Sequence, residues 1–343
     1  MFRKNEINDE PYIIAEVGQN HQGDLELARK YIKIFATEGA NAVKFQTRNN
    51  KKLFSEDAYN KNYESENAFG ATYGEHREAL ELKTEWIPIL KADCHSYGVK
   101  FMSTPFDEDS LDLLIQYDVD ILKIASFDIG NLPLIYRIAK TKKPVVVSVG
   151  GGQQEQIRSS IELLLKYNDD VTILHCVSEY PCDYSKLGFD NIEFLISEFP
   201  QCIIGSSDHF NGTLSGPVAY MRGARVFEKH VTLNRAWKGT DHSFALEQEG
   251  FRKFVRDLRR VRHMMPVKPK EQLGKEFVFQ KLGKSIVALT DIKEGEELTL
   301  DNLTGRIFNK TFIPVRESNT VIGKVAKRTI SAGKAVTYDD LIY

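Results

Sequence analysis

The stretch RVFEKHVT, residues 225–232, has the pattern of a buried β-strand that nevertheless carries two ionisable side chains. Because side chains alternate with period two along a strand, Val226, Glu228 and His230 lie on the same side. An imidazole on an otherwise apolar face needs a partner, since burial of an unpaired polar group is costly. The stretch therefore predicts a strand whose C-terminal end belongs to a polar site.

The chain contains eight apolar runs of this kind, most of them separated by amphipathic helical patterns. They are YIIAEVG (12–18), NAVKFQT (41–47), VKFMSTPF (99–106), DILKIAS (120–126), PVVVSVG (144–150), VTILHCVS (171–178), CIIGSSDH (202–209) and RVFEKHVT (225–232). After the first run, Asp24 can cap a helix that Gly39 ends. Eight strand–helix units favour an α/β fold of the TIM (β/α)8 barrel type. A doubly wound open sheet has the same alternation, and strand number alone does not exclude it.

Nearly every run ends in polar or ionisable residues, and this favours the barrel over the open sheet. In a (β/α)8 barrel all eight C-terminal strand ends meet at one mouth, where such enzymes keep their chemistry. The strand-end residues are Glu16, Lys44, Gln46, Thr104, Lys123, Ser126, Ser148, His175, Ser178, Asp208, His209, Glu228 and His230. Residues 48–83 are too long for a plain connection, and we expect them to form a functional lid.

Composition restricts the class of protein. Of the 343 residues, 42% are apolar and 27% are charged, and the net charge is -2, so no nucleic-acid or membrane partner is indicated. The polar first ten residues lack a signal-peptide core. The cysteines form no CxxC pair, and we expect reduced thiols in a cytoplasmic protein. They are Cys94, Cys176, Cys182 and Cys202.

The C-terminal part of the chain contains an internal repeat. The copies DIKEGEELTLDNL and TISAGKAVTYDDL align with an offset of 38 residues, so that Ile292 and Gly295 correspond to Ile330 and Gly333. Each copy reads as a strand, a glycine turn, a strand and a short Asp-led turn. We therefore predict a catalytic barrel domain over 1–265, a linker over 266–282 and a small domain of short strands over 283–343.

Two pairs of strand-end residues could carry chemistry. His209 and His230 follow neighbouring strands and could both reach one catalytic metal ion with open positions, or each could simply be a hydrogen-bonded strand-end residue. Lys44 and Lys123 sit within apolar strands. They could face an anion in the mouth or extend outward between helices. With the hydroxyls of Ser126, Ser148 and Ser178, the lysines would form a phosphate or carboxylate site.

Several motifs together resemble the sialic acid synthase family. They are AEVGQNHQGDLELA, VKFQT, FMSTPFD, LKIASFD, LHCVSEYP, IGSSDH, FEKHVTL and WKGTDHS. The tail resembles the antifreeze-like SAF domain, a small β-clip fold, so the likeness covers nearly the whole chain. The resemblance implies an enzyme that condenses phosphoenolpyruvate with an open-chain N-acetylmannosamine-type sugar. The product would be a nine-carbon 2-keto acid, and phosphate would be released.

The resemblance also implies roles for particular residues. His209 and His230 would hold a divalent metal, Mn or Mg, and Glu16 or Asp128 would handle charge and protons at the reacting carbons. The residues implied in binding phosphoenolpyruvate or the sugar are Lys44, Gln46, Thr104, Lys123, Ser126, Ser148, Ser178, Tyr180 and Asp241. A domain-swapped homodimer is implied, in which an arginine of the C-terminal domain caps the partner's site. Arg306 is the match for this arginine, with Arg316 as the alternative.

Other functions fit parts of the same pattern. A metal-dependent barrel aldolase or sugar isomerase could use the same mouth, and so could a non-catalytic sugar-binding homologue. The sequence leaves open whether the sugar is N-acetylmannosamine, its 6-phosphate, a diacetamido-trideoxyhexose or mannose. It also leaves open the identity of the metal and the oligomeric state.

Overall fold

The computed structural model describes residues 10–342, except for the side chain of Gln280. The chain divides into two compact units, with the boundary between Met265 and Pro266. Within the described residues, no helix has both the length and the apolar character needed to cross a membrane.

The first unit is a closed barrel of eight parallel strands in sequential order. The strands are β1 (Tyr12–Gly18), β2 (Ala42–Thr47), β3 (Lys100–Pro105), β4 (Ile121–Ile124), β5 (Val145–Ser148), β6 (Val171–Cys176), β7 (Ile203–Asp208) and β8 (Val226–His230). Strand β8 pairs with β1 and closes the ring. The prediction of a (β/α)8 barrel is confirmed, and the open sheet is wrong.

Helices surround the strands, and each of the eight strands is followed by at least one. The helices of this unit are α1 (Leu25–Thr37), α2 (Asn50–Leu53), α3 (Glu56–Tyr59), α4 (Tyr73–Ala79), α5 (Ile87–Ser96), α6 (Glu108–Gln116), α7 (Leu132–Lys140), α8 (Gln154–Tyr167), α9 (Asp190–Glu198), α10 (Ser215–Met221) and α11 (Gln248–Met264). The Asp24 carboxylate accepts a hydrogen bond from Leu27 N at 2.9 Å and caps α1. Gly39, at φ +100°, follows the end of that helix.

The barrel interior changes from apolar to polar along the strands. Its lower layer is a buried apolar cluster formed by Ile14, Ala42, Met102, Ile121, Val146, Leu174, Ile203 and Val226. Two positions further along, the inward side chains are polar on most strands, as in Lys44 after Ala42 and Glu228 after Val226. Position 205 requires glycine, because a Cβ atom there would lie 2.2 Å from Val226 O. The alternation thus closes the bottom of the barrel and directs polar groups to its mouth.

The second unit contains β9 (Lys284–Ala288), β10 (Leu303–Ile307), β11 (Val325–Ala326) and β12 (Leu341–Ile342). The two sequence repeats are related by an approximate two-fold axis. Ile292 N donates to Ile330 O at 2.9 Å, and Ile330 N donates to Ile292 O at 2.8 Å. Gly295 and Gly333 occupy equivalent turns with φ of +81° and +78°, a conformation that favours glycine. The repeat therefore marks one structural motif used twice.

The segment predicted as a linker has local structure of its own. It contains a short 3₁₀ turn, Lys270–Gln272, and helix α12 (Phe277–Leu282), and it falls in the same compact unit as the C-terminal strands. The finer division at residue 283 stays a prediction.

Candidate active site

A cavity of about 860 Å³ opens at the C-terminal ends of the barrel strands. It brings together most of the residues that the sequence singled out for catalysis or binding. Those that line it are Glu16, Lys44, Gln46, Thr104, Lys123, Ser126, Ser148, Tyr180, His209, His230 and Asp241. The strand ends supply nearly all of these side chains, as the barrel geometry requires.

A buried charge cluster forms the floor of this cavity. The Glu228 carboxylate oxygen Oε1 lies 3.4 Å from Lys44 Nζ and 4.0 Å from Lys123 Nζ, and it accepts a hydrogen bond from Ser207 Oγ at 3.0 Å. Lys44 Nζ also lies 3.1 Å from Glu16 Oε1. Both lysines are buried and face the cavity, so the outward-extended alternative does not describe them.

Hydroxyl groups accompany both ammonium groups. Lys123 Nζ donates to Ser148 Oγ at 2.6 Å, and Lys44 Nζ donates to Thr104 Oγ1 at 3.5 Å. Lys123 Nζ also donates to Ile124 O at 3.1 Å. Ammonium groups beside hydroxyls are a recognition pattern for phosphate and carboxylate oxygens.

Burial and mutual charge set the protonation of the cluster. Burial raises the pKa of Glu16 to about 7, against the opposing effect of Lys44. Burial would also raise the pKa of Glu228, but Lys123 and Lys44 outweigh it and the pKa is lowered. Burial lowers the pKa of Lys123, whereas the neighbouring carboxylates outweigh burial at Lys44 and raise its pKa. Glu228 is therefore the fixed negative charge, and Glu16 is the carboxyl group able to exchange a proton near neutral pH.

The two strand-end histidines lie side by side, with ring centroids 5.3 Å apart. His209 Nδ1 donates to Val177 O at 2.8 Å, which leaves the Nε2 lone pair free in the neutral ring. Among residues 10–342, His230 Nδ1 has no hydrogen-bond partner; it is buried and lies 3.9 Å from Asp241 Oδ2. Burial is the main cause of a lowered pKa in both imidazoles, which keeps them neutral.

Neutral imidazoles with free lone pairs are the form that binds metal ions. Within residues 10–342, no group of three or more His, Cys, Asp or Glu side chains is arranged to hold a metal. The pair His209 and His230 therefore fits a site with two protein nitrogen ligands and further open positions. The observation that supports a metal site at this pair is the buried Nδ1 of His230, which has no hydrogen-bond partner among the described residues.

Aromatic rings cover the histidine pair on one side. The Tyr180 ring centroid lies 3.9 Å from that of His209, and Phe244 lies 5.1 Å from His230. The rings keep water from part of the imidazole surface, which is consistent with the lowered pKa of both histidines.

Three predicted site residues do not line the cavity. Asp128 lies in a 3₁₀ turn after β4, where its carboxylate accepts a hydrogen bond from Asn131 Nδ2 at 2.9 Å. Ser178 lies two residues beyond the end of β6, with its Oγ beside the backbone of Gly150. Arg306 is an exposed residue of β10 in the second unit. Their roles stay predictions.

The lid segment, residues 48–83, supplies cavity residues that sequence reasoning did not single out. The segment contains α2, α3 and α4, and its lining residues are Arg48, Leu53, Phe54, Tyr63, Asn67, Tyr73, His76 and Arg77. Its length was the signal that it contributes to the site. Which of its side chains face the cavity depends on packing between distant segments, as where Arg48 stacks 4.0 Å above the Phe106 ring.

A (β/α)8 barrel with buried lysines, carboxylates and imidazoles gathered in its mouth is the framework of an enzyme. The chain belongs to the NeuB family, whose model matches residues 31–270, and residues 283–342 match the SAF domain. These matches confirm both the family resemblance and the small C-terminal domain.

Characterised relatives have names that identify the class of enzyme. The chain is 33% identical to the N-acetylneuraminate-9-phosphate synthase of Homo sapiens, over 93% of this chain and 89% of that protein. It is 32% identical to the N,N'-diacetyllegionaminic acid synthase of Legionella pneumophila, over 96% and 94%. A crystal structure of the N-acetylneuraminic acid synthetase of Leptospira borgpetersenii with citrate superposes with a TM-score of 0.69 at 30% identity, covering 79% of this chain and 91% of that one. The protein is therefore a synthase.

The Glu228 carboxylate is expected to be essential to the stability of the barrel mouth. Glu228→Gln leaves the Lys44 and Lys123 ammonium groups buried without their shared counter-charge, which should lower the free energy of unfolding by about 3 kcal/mol. Urea denaturation at neutral pH measures this change. Glu155→Gln on the exposed face of α8 is the control and should stay within about 0.5 kcal/mol of the parent protein. A Glu228→Gln loss no larger than that of the control would contradict the assignment.

Proposed function

We propose that this protein condenses phosphoenolpyruvate with the open-chain form of an N-acetylmannosamine-type sugar. The products are a nine-carbon 2-keto acid and inorganic phosphate. The observation that carries the proposal is the single cavity in which the Lys44 and Lys123 ammonium groups face the His209 and His230 imidazoles. Membership of the NeuB family supports the same reaction.

The floor of the cavity suits phosphoenolpyruvate, which carries about three negative charges near neutral pH. Lys44 with Thr104 and Lys123 with Ser148 provide two ammonium–hydroxyl pairs for its phosphate and carboxylate oxygens. In the free protein, Glu16 and Glu228 balance these lysines.

The wall of the cavity beside the histidines suits the sugar. Tyr180 and Asp241 line this wall, and Gln46 Nε2 donates to Glu16 Oε1 at 2.7 Å. Amide, phenol and carboxylate groups of this kind pair with sugar hydroxyl and acetamido groups. The sugar aldehyde would then lie between the histidine pair and the lysines.

His209 and His230 would hold a divalent metal ion, Mn or Mg, through their neutral ring nitrogens. Such an ion, when bound, polarises an aldehyde oxygen as a Lewis acid. The Val177 carbonyl fixes the orientation of His209 by accepting from its Nδ1. Asp241 Oδ2 lies 3.9 Å from His230 Nδ1, on the side of the unpaired nitrogen of that ring.

In the proposed reaction, C3 of phosphoenolpyruvate attacks the aldehyde carbon and a carbon–carbon bond forms. The electrons of the aldehyde C=O bond move to its oxygen, which becomes an alkoxide, while positive charge develops at C2. Water adds at C2, and one of its protons ends on the alkoxide by way of Glu16. The C–O bond to phosphate then breaks, the C2 hydroxyl becomes the ketone, and its proton leaves with the phosphate.

The carboxylate of Glu16 stabilises the charge at C2 and accepts the proton of the water. The Oε2 atom of Glu16 is buried and has no hydrogen-bond partner among the described residues, and the Glu16 side chain lines the cavity. This position supports Glu16 over Asp128 for the role.

The family resemblance further suggests a cytoplasmic homodimer with exchanged C-terminal domains. Arg316 Nη1 donates to Gly274 O at 3.0 Å within its own unit, whereas the Arg306 guanidinium forms no hydrogen bond or ion pair among the described residues. Arg306 is therefore the better candidate for the capping arginine. Sedimentation equilibrium tests the dimer, and a concentration-independent monomer would reject it.

Phosphate release provides the direct test of the reaction. Inorganic phosphate should appear only when phosphoenolpyruvate, a sugar and Mn are all present, and the sugars to compare are the four that the sequence left open. An aldolase or isomerase would convert sugar without releasing phosphate. A non-catalytic homologue would show a thermal shift with phosphoenolpyruvate and no turnover of any sugar.

The histidine pair is expected to be required for condensation but not for folding. His209→Ala and His230→Ala should each reduce phosphate release by at least about a hundredfold, because each removes a ligand of the metal. Calorimetry with Mn should show weakened binding in the same variants. His175→Gln is the control, since the imidazole of this strand-end residue is hydrogen-bonded to Leu187 O and does not line the cavity. Full activity of either alanine variant in the presence of a chelator would reject the metal role.

Lys123 is expected to dominate binding of phosphoenolpyruvate. Lys123→Ala removes a buried ammonium group, and the dissociation constant measured by calorimetry should rise about tenfold to a hundredfold. Lys100→Ala, at the opposite end of the barrel and beside Asp120, should leave the affinity unchanged. Equal affinities for Lys123→Ala and the parent protein would count against the assignment.

A further inference from the structure

A buried ion pair lies on the outer face of the barrel, behind the two histidines. Lys229 stands between Glu228 and His230 in β8, and its side chain points away from the cavity toward the surrounding helices. Its partner Asp208 is the last residue of β7 and lies beside Lys229 in the pairing of the two strands. The side chains are 1% and 6% exposed. Neither residue lines the cavity, and neither has a part in the reaction proposed above.

The Lys229 ammonium makes contacts on both sides of His209. Its Nζ donates to Asp208 Oδ1, in the residue before His209, and to Phe210 O, in the residue after it, each at 2.5 Å. The same carboxylate oxygen of Asp208 accepts a hydrogen bond from Phe210 N at 2.9 Å. One ammonium and one carboxylate therefore fix the backbone of residues 208–210, with His209 at its centre.

These contacts exceed what is needed to join two strands. The bond from Lys229 to Asp208, which face each other in the pairing of β7 and β8, is sufficient to maintain the register. Phe210 lies two residues beyond the end of β7, so the bonds to its backbone add nothing to that pairing. They determine instead the direction in which the chain leaves β7, and His209 is the residue at that point.

The remaining contacts of His209 come from the chain that follows β6. The carbonyl oxygen of His209 accepts from Cys182 N at 3.1 Å, and its Nδ1 donates to Val177 O at 2.8 Å. The ring is thus oriented from the side of β6, and the backbone that carries it is fixed from the side of β8. A metal ligand must lie within about 0.5 Å of its productive position, which requires both kinds of support.

We propose that Lys229 and Asp208 are positioning residues for His209, and that their ion pair fixes the distance between its Nε2 atom and the ring of His230. The inference rests on the proposed function for the metal ion. It adds two residues that touch neither the ion nor the substrates. Loss of such outer partners typically weakens metal binding by about tenfold to a hundredfold.

The test replaces both members of the ion pair, because loss of one would leave the other charge buried and unpaired. Lys229→Met with Asp208→Leu puts apolar side chains of similar size at the two positions, a change that folded proteins often tolerate. Circular dichroism and thermal unfolding verify that the double variant is folded. In the chelator-treated full-length protein, the calorimetric dissociation constant for Mn should rise by about tenfold to a hundredfold.

Phosphoenolpyruvate binding shows whether the change is confined to His209. Lys44 and Lys123 lie on the inner face of the barrel, so the affinity of the double variant for phosphoenolpyruvate should stay within about twofold of the parent value. A merely structural role of the ion pair would instead disturb the whole barrel mouth. Equal weakening of Mn and phosphoenolpyruvate binding would therefore overturn the inference.

Two single variants complete the comparison. Asp208→Asn keeps a side-chain oxygen for both hydrogen bonds without the charge and should give an intermediate affinity for Mn. It takes the place of the double variant if the latter does not fold. Lys100→Met is the matched control, because it makes the same substitution in β3, where Lys100 pairs with Asp120 at the opposite end of the barrel. Its affinities should equal those of the parent protein.

Nuclear magnetic resonance of the metal-free protein separates this inference from the proposed reaction. The chain has eight histidines, so ¹⁵N-histidine labelling gives few signals, and His209→Gln assigns the one in question. In the parent protein the Nδ1 proton bonded to Val177 O should exchange slowly with water. Exchange should be faster in the double variant. This result supports the positioning role even where the parent protein binds no Mn and the metal role is rejected.

Unchanged exchange of the His209 proton in the folded double variant overturns the inference. So does an affinity for Mn equal to that of a parent protein that binds the ion, which leaves the proposed reaction standing.

Discussion

The contact on which the site depends is the one between the Glu228 carboxylate and the two ammonium groups of Lys44 and Lys123. Two like charges cannot be buried in one barrel without a counter-ion, because the cost of desolvation is several kcal/mol for each ion. Glu228 provides this counter-charge from β8, which lies across the ring from β4 and is separated from β2 by β1 alone. The same carboxylate leaves the lysines charged, so that they can bind an anion. One side chain therefore reconciles the stability of the barrel with the presence of two buried cations that face the cavity.

The strand pleat determines which groups reach this contact. Glu228 and His230 face inward because they are two residues apart, and Lys229 between them faces the surrounding helices, where it forms a buried ion pair with Asp208. That outer pair joins β7 to β8, the two strands that lead to the histidines. A shift of one residue in the pairing of β8 would exchange the inner and outer charges. The two ion pairs on opposite faces thus specify one register together.

Much of the fold and the floor of the site could be predicted from the sequence, because both follow from alternation along strands. Each of the eight apolar runs contains a barrel strand, and the inward direction of Lys44 and Glu228 follows from the pleat. Residues beyond the strand ends obey no such rule. Asp128 turns toward Asn131, outside the cavity lining, and Arg48 is fixed by its contacts with Phe106 and Glu81, which are far apart in the chain. Loop residues are positioned by tertiary packing that local patterns do not encode.

The contrast between strand residues and loop residues also separates two parts of the cavity, its floor and its lid. The floor is built from strand residues whose charges balance one another, so a change there disturbs the barrel as well as the chemistry. Arg48 and Arg77 lie beside and within a connection of short helices, where substitution alters the cavity without changing the strand register. Residues 48–83 can accordingly change the lining of the cavity with little effect on the strands that form its floor.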